Sequence, residues 1–188
     1  MLTELQTSKL ARRFELLDYD GDGVISTADY DLAARNICRA FGFEAGSPEH
    51  DRIQMTFNAL WVRLSQATEH GKDGGITPEQ FVASCLDDAG DPASCVEHVE
   101  VEISQTIFDL VDADSAGTLY VSELATWFSA YGVCEGDAEK AFRKVDRNKD
   151  GLLDREELLA AIRDYYTSDD PHAPGNALFG PLTVALSR

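Results

Sequence analysis

The sequence predicts an all-α fold: helix–loop–helix units in two packed pairs, forming a compact globule with a C-terminal tail. Three observations carry that prediction. Apolar residues recur at the three- and four-residue spacing of one helix face, while strand-like alternation is nearly absent. Short turns rich in Asp and Gly join the helical stretches and recur along the chain as an internal repeat. The segment 168–188 holds Pro171, Pro174 and Pro181 with Gly175 and Gly180, which argues for a tail and against a further helix.

Taken in order, Leu10, Phe14 and Leu17 mark one face of a first helix, opened by Thr3 as N-cap with Gln6 behind it. Tyr30, Ala33, Ala34, Ile37 and Phe41 form the same stripe on a second helix, and Gly42 ends it. Ser47-Pro48-Glu49 is a cap followed by proline in the first turn, starting a long helix through Trp61 and Leu64. Thr77-Pro78-Glu79-Gln80 repeats that signal before Phe81 and Val82. Gly90-Asp91-Pro92 breaks the chain into an N-terminal unit, 1–90, and a C-terminal unit, 91–167. Beyond the break lies a stripe of Val96, Val99, Ile103, Ile107 and Leu110, then three helices around 121–131, 137–145 and 155–165. The sum is eight helices in pairs.

Composition narrows the function. Of 188 residues, 44% are apolar, enough for a sizeable core. The formal charge is −18, from 34 acidic against 16 basic residues, so nucleic acid and anionic membranes are repelled rather than bound. Cys38, Cys85, Cys95 and Cys134 form no CxxC pair and read as reduced thiols. The start Met1-Leu2-Thr3-Glu4 has no secretory character, and no apolar run reaches membrane length. The expectation is a monomeric cytoplasmic protein. No nucleophile elbow, phosphate-binding glycine loop or HExxH motif is present, and His50, His70, His98 and His172 share no spacing, so no enzyme is expected.

The acidic turns carry the chemistry. Calcium takes six to eight oxygens at about 2.3–2.6 Å, and the twelve-residue EF-hand loop supplies them from positions 1, 3, 5, 7, 9 and 12 around a glycine at 6. Residues 146–157 fit best. Asp146, Asn148 and Asp150 fill 1, 3 and 5, Leu152 offers its carbonyl, Asp154 acts through water, and Glu157 closes with both oxygens. Residues 18–29 place Asp18, Asp20 and Asp22 inward with the carbonyl of Val24, but position 12 is Asp29. Aspartate is one methylene shorter than glutamate. A monodentate contact there leaves a smaller, near-octahedral shell open to Mg2+ as well as Ca2+.

Residues 112–123 keep Asp112, Asp114, the carbonyl of Thr118 and Glu123, but Ala116 brings no oxygen to position 5 and Tyr120 sits at 9, so affinity falls. Two to three Ca2+ ions are therefore expected. Residues 69–80 align as a second loop through Gly74 and Ile76, yet Gly71 at 3 and Gln80 at 12 leave Glu69 and Asp73 as its only charged candidates, too few for a cage. That loop is retained for pairing: Ile25 with Ile76, and Leu119 with Leu153, are placed to form short antiparallel bridges.

Four EF-hands with a defective second loop, Asp closing the first and a Pro/Gly tail resemble the sarcoplasmic calcium-binding proteins, most closely their bacterial, calerythrin-like members. The tail from Asp169 to Pro181 and the run Asp73-Gly74-Gly75-Ile76-Thr77-Pro78 carry that likeness. The resemblance implies halves packed together, a tail folded onto the apolar interface, and a role as calcium buffer or transporter. Ala177 stands where many relatives carry a large aromatic, which implies a looser tail. A sensor, the alternative, commonly exposes a Met-rich groove, whereas this chain has only Met1 and Met55. Related photoproteins hold a luciferin, and Trp61, Trp127 and His172 are the residues a carrier would use.

Overall fold

The computed structural model describes residues 2–68, 75–86, 101–112 and 114–182. Eight α-helices lie among them: α1 Glu4–Leu17, α2 Thr27–Phe41, α3 Pro48–Ala67, α4 Pro78–Ser84, α5 Val101–Val111, α6 Val121–Ser129, α7 Glu135–Val145 and α8 Arg155–Thr167. Two two-residue strands, β1 Thr118–Leu119 and β2 Leu153–Asp154, and a 3-10 turn, Pro174–Ala177, complete the order. The Gly90-Asp91-Pro92 break, Val96, Val99, Cys95, His70, His98, and Glu69, Gly71, Asp73 and Gly74 lie outside the described residues, as does the side chain of Ile103.

The helix starts follow from local chemistry. Thr3 accepts the N–H of Gln6 while the Gln6 side chain accepts that of Thr3, a reciprocal capping box. Thr77 and Gln80 repeat it on α4, and Ser47 caps α3 before Pro48. At the other end of α2, Gly42 takes φ 71° and donates back to Arg39 and Cys38, the left-handed stop that a side chain would strain.

The loops pair as expected. Ile25 and Ile76 exchange both backbone hydrogen bonds, at 2.9 and 2.8 Å, and β1 pairs with β2 through Thr118–Asp154 and Leu119–Leu153. All four bridging apolar side chains are fully buried. The halves also pack on each other: α1 lies against α4 and α8, α2 against α3 and α6, and α3 against α5. Phe14 meets Phe81 edge-on, while Tyr30 packs against Phe57 and Trp61. No helix among the described residues is long and apolar enough to cross a membrane.

The tail is seated on α7 and α8. Leu178 is buried, and Phe179 packs edge-on to Tyr165 at 4.8 Å and stacks on Phe128 at 6.3 Å. From α1, the Arg13 guanidinium lies 4.8 Å over the Phe179 ring and Arg12 Nε donates to the Phe179 carbonyl. Gly175 fits so closely that a Cβ there would stand 2.2 Å from the carbonyl oxygen of Ala161 and 2.5 Å from Asp164 Cβ. Gly175, Leu178 and Phe179 make this seat, with Ala177 half-buried against the core beside them.

Candidate metal centres

Each loop begins where an entering helix ends and closes on the first turn of the next. In the first, α1 stops at Asp18 and α2 starts after Ser26. Asp18 turns inward because its two oxygens accept the N–H groups of Asp22 (3.1 Å) and Gly23 (3.0 Å). Asp20 Oδ1 accepts Asp22 N–H, and Asp22 Oδ1 accepts Val24 N–H. These Asx-type turns hold the chain in a ring. They bring one oxygen each from Asp18, Asp20 and Asp22 within 4.8 Å of one another. Asp29 lies on the first turn of α2, 1% exposed, with its oxygens turned to the loop backbone and to Ser26.

The fourth loop repeats the geometry between α7 and α8. Asp146 Oδ2 accepts Gly151 N–H, Asn148 Oδ1 accepts Asp150 N–H, and Asp150 Oδ1 accepts Leu152 N–H. Glu157 Oε1 takes the N–H groups of Arg147 and Asn148, and Oε2 that of Asp154, while Asp154 caps α8 through Glu157 N–H. In the third loop Asp112 accepts from Ala116 and Gly117, Asp114 from Ala116, and Glu123 from Tyr120. Ala116 brings no side-chain oxygen, and the Tyr120 side chain is exposed. Val24, Thr118 and Leu152, the carbonyl donors of position 7, each immediately precede a bridging residue, which fixes their backbone.

Asp146 tests whether a cation fits. Its Oδ1 is buried and has no hydrogen-bond partner among the described residues. An ionised oxygen so placed costs free energy unless a positive charge meets it. Asp146, Asn148, Asp150, Leu152 and Glu157 would hold an ion there, Asp18, Asp20, Asp22 and Val24 with Asp29 at the closing position in the first loop, and Asp112, Asp114, Thr118 and Glu123 in the third.

Two features escaped the sequence reading. Position 4 takes positive φ in all three loops, with Gly21 at 72°, Ser115 at 55° and Lys149 at 60°, so two residues with side chains sit where glycine is preferred. The glycine at Gly21 was the available signal. Gly75, φ 83°, lies so close to the first loop that a Cβ there would stand 2.8 Å from Val24 Cγ2 and 2.9 Å from its Cβ, so a side chain would collide across the bridge.

Comparison with known proteins agrees with this geometry. Residues 102–163 match the family model of an EF-hand domain pair, and residues 10–30 that of an EF hand. The chain is 31% identical over 169 residues to calerythrin of Saccharopolyspora erythraea, covering 88% of this chain and 94% of calerythrin. The chain belongs to the EF-hand family. This EF-hand protein is also 26% identical to the luciferin-binding protein of Renilla reniformis, over 93% of this chain and 92% of that one. A solved structure of a Streptomyces coelicolor calcium-binding protein, studied for prokaryotic calcium-mediated regulation, superposes with a TM-score of 0.72 at 28% identity, covering 86% of this chain and 98% of that one. The four-hand fold and calcium binding through EF-hand loops follow.

Proposed function

We propose that this EF-hand protein is a monomeric cytoplasmic calcium buffer or transporter whose first loop also takes Mg2+, and that it acts by binding rather than by catalysis. One observation supports the reading above others. The apolar groove that a sensor would open to a partner is filled by its own tail: Leu178 and Phe179 lie among Trp127, Phe128, Tyr131, Leu158 and Ile162. The groove is built from aromatic and branched side chains, and its stiffness suits a fixed core better than an adaptable target surface.

Two other readings have some support. Similarity to the Streptomyces coelicolor protein favours a sensor. Similarity to the Renilla luciferin-binding protein favours a carrier, but the cavity beside the tail measures about 10 Å³, room for a single water. Trp127 lines that cavity; neither Trp61 nor His172 does.

Calcium titration in the presence of a dye that fluoresces on apolar surfaces separates buffer from sensor. A buffer loses dye signal as calcium tightens the fold, and a rise with calcium would favour the sensor. Calorimetry with and without Mg2+ reports the number of ions and the competition at the first loop.

A further inference from the structure

We propose that Asp29 is a positioning residue, one that closes the first loop through hydrogen bonds without touching the ion and leaves water where the fourth loop uses Glu157. The inference deepens the calcium and magnesium reading of the first loop and rests on it. An ionised carboxylate has about four lone-pair sites. All four of Asp29's are taken. Oδ1 accepts the N–H groups of Tyr19 (2.9 Å) and Asp20 (3.3 Å), and Oδ2 accepts the N–H (2.7 Å) and the hydroxyl (2.9 Å) of Ser26.

The other members of the loop are not filled in this way. Among the described residues, Asp18 spends one lone pair on each oxygen, and Asp20 and Asp22 accept one hydrogen bond at Oδ1 and none at Oδ2. These three converge within 4.8 Å.

The fourth loop shows what differs. Glu157 accepts Arg147 and Asn148 at Oε1 but only Asp154 N–H, at 3.3 Å, at Oε2. Its N-cap partner Asp154 is a carboxylate and has no hydroxyl to donate, so Oε2 keeps a lone pair for an ion. In the first loop the N-cap is Ser26, whose hydroxyl fills that fourth place on Asp29. The short Asp side chain and the Ser donor together convert position 12 from ligand to clamp. A shell completed by water suits Mg2+, which keeps several waters of its own.

Europium(III), whose luminescence decay in H2O and D2O counts bound water, tests this. Chains with Asp112→Ala and Asp146→Ala confine the ion to the first loop; chains with Asp18→Ala and Asp112→Ala confine it to the fourth. The first loop is expected to hold at least one more water than the fourth. Asp29→Ala, which offers no side-chain oxygen, is expected to leave the first loop's water count unchanged and to lower the melting temperature of the ion-free chain, because all four acceptor positions are lost. If Asp29 is a ligand, the variant gains a water, and that result overturns the proposal. Should Asp29→Ala not fold, the comparison between the two loops remains, and equal counts overturn the proposal. No europium uptake at the first loop would sink the ion-binding reading itself, a distinguishable failure.

Discussion

Asp146 illustrates how a single residue ties ion binding to stability with opposite signs in the two states. Its Oδ1 is buried and has no hydrogen-bond partner among the described residues, so the ion-free chain bears a desolvation cost there; an unsatisfied buried polar atom costs about 1–3 kcal/mol, and a charged one more. Asp146→Asn keeps an acceptor for Gly151 N–H and removes the charge. The expected outcome is a higher melting temperature in chelator together with loss of calcium binding at the fourth loop, read by calorimetry. A lower ion-free melting temperature would mean that the carboxylate holds the loop by itself. Legibility at this scale is uneven. The ligands were readable because alternation around Gly23, Gly117 and Gly151 is written in consecutive letters. The saturation of Asp29 was half visible, since Ser26 and Asp29 stand at capping-box spacing, but the contributions of Tyr19 and Asp20 arrive from the far end of the loop and need the folded ring.

At the scale of elements, helix starts were legible because a cap is a contact over three residues, as at Thr3, Ser47 and Thr77. The bridges at Ile25–Ile76 and Leu119–Leu153 were legible through loop alignment. The seat of the tail was not, because it depends on the backbone of α8 at Ala161 and Tyr165 passing close to Gly175, a coincidence no local pattern records. Gly175→Val measures that seat. The new side chain meets backbone atoms, which cannot swing aside, so overpacking of about 1–3 kcal/mol or undocking of the tail follows. Because the tail rests on α7 and α8, the helices flanking the fourth loop, its loss should weaken calcium there, and by linkage calcium removal should loosen the tail. Limited proteolysis is expected to cut the variant's tail in calcium as readily as it cuts the wild-type tail in chelator. Equal protection of the two chains in calcium would show that the seat tolerates the valine.

Over the whole molecule, what joins the first hand to the fourth is the contact between α1 and α8, and Lys9 sits at its centre. Its Nζ donates to the carbonyls of Asp164 (3.2 Å) and Ser168 (2.7 Å) at the C-terminal end of α8, where the helix dipole favours a cation. Tyr165 returns the contact by donating from its hydroxyl to the Lys9 carbonyl at 2.6 Å. The side chain is fully enclosed, and burial pushes its pKa down to about 8, against the opposing pull of Asp164, Asp169 and Asp170. In the unfolded chain the amine keeps its proton to about 10.4. Between those values the unfolded state binds more protons than the folded one, so the Lys9 contribution to stability rises with pH there. Below pH 8 both states carry the proton and the contribution is flat. Lys9→Met removes the titration while filling the same volume. The melting temperature of the wild type relative to this variant is therefore expected to be level from pH 6 to 7.5 and to climb from pH 8 to 10, in chelator so that ion binding does not intervene. A level difference across the whole range would place the ammonium in contact with solvent and remove Lys9 as the enclosed link between the two halves.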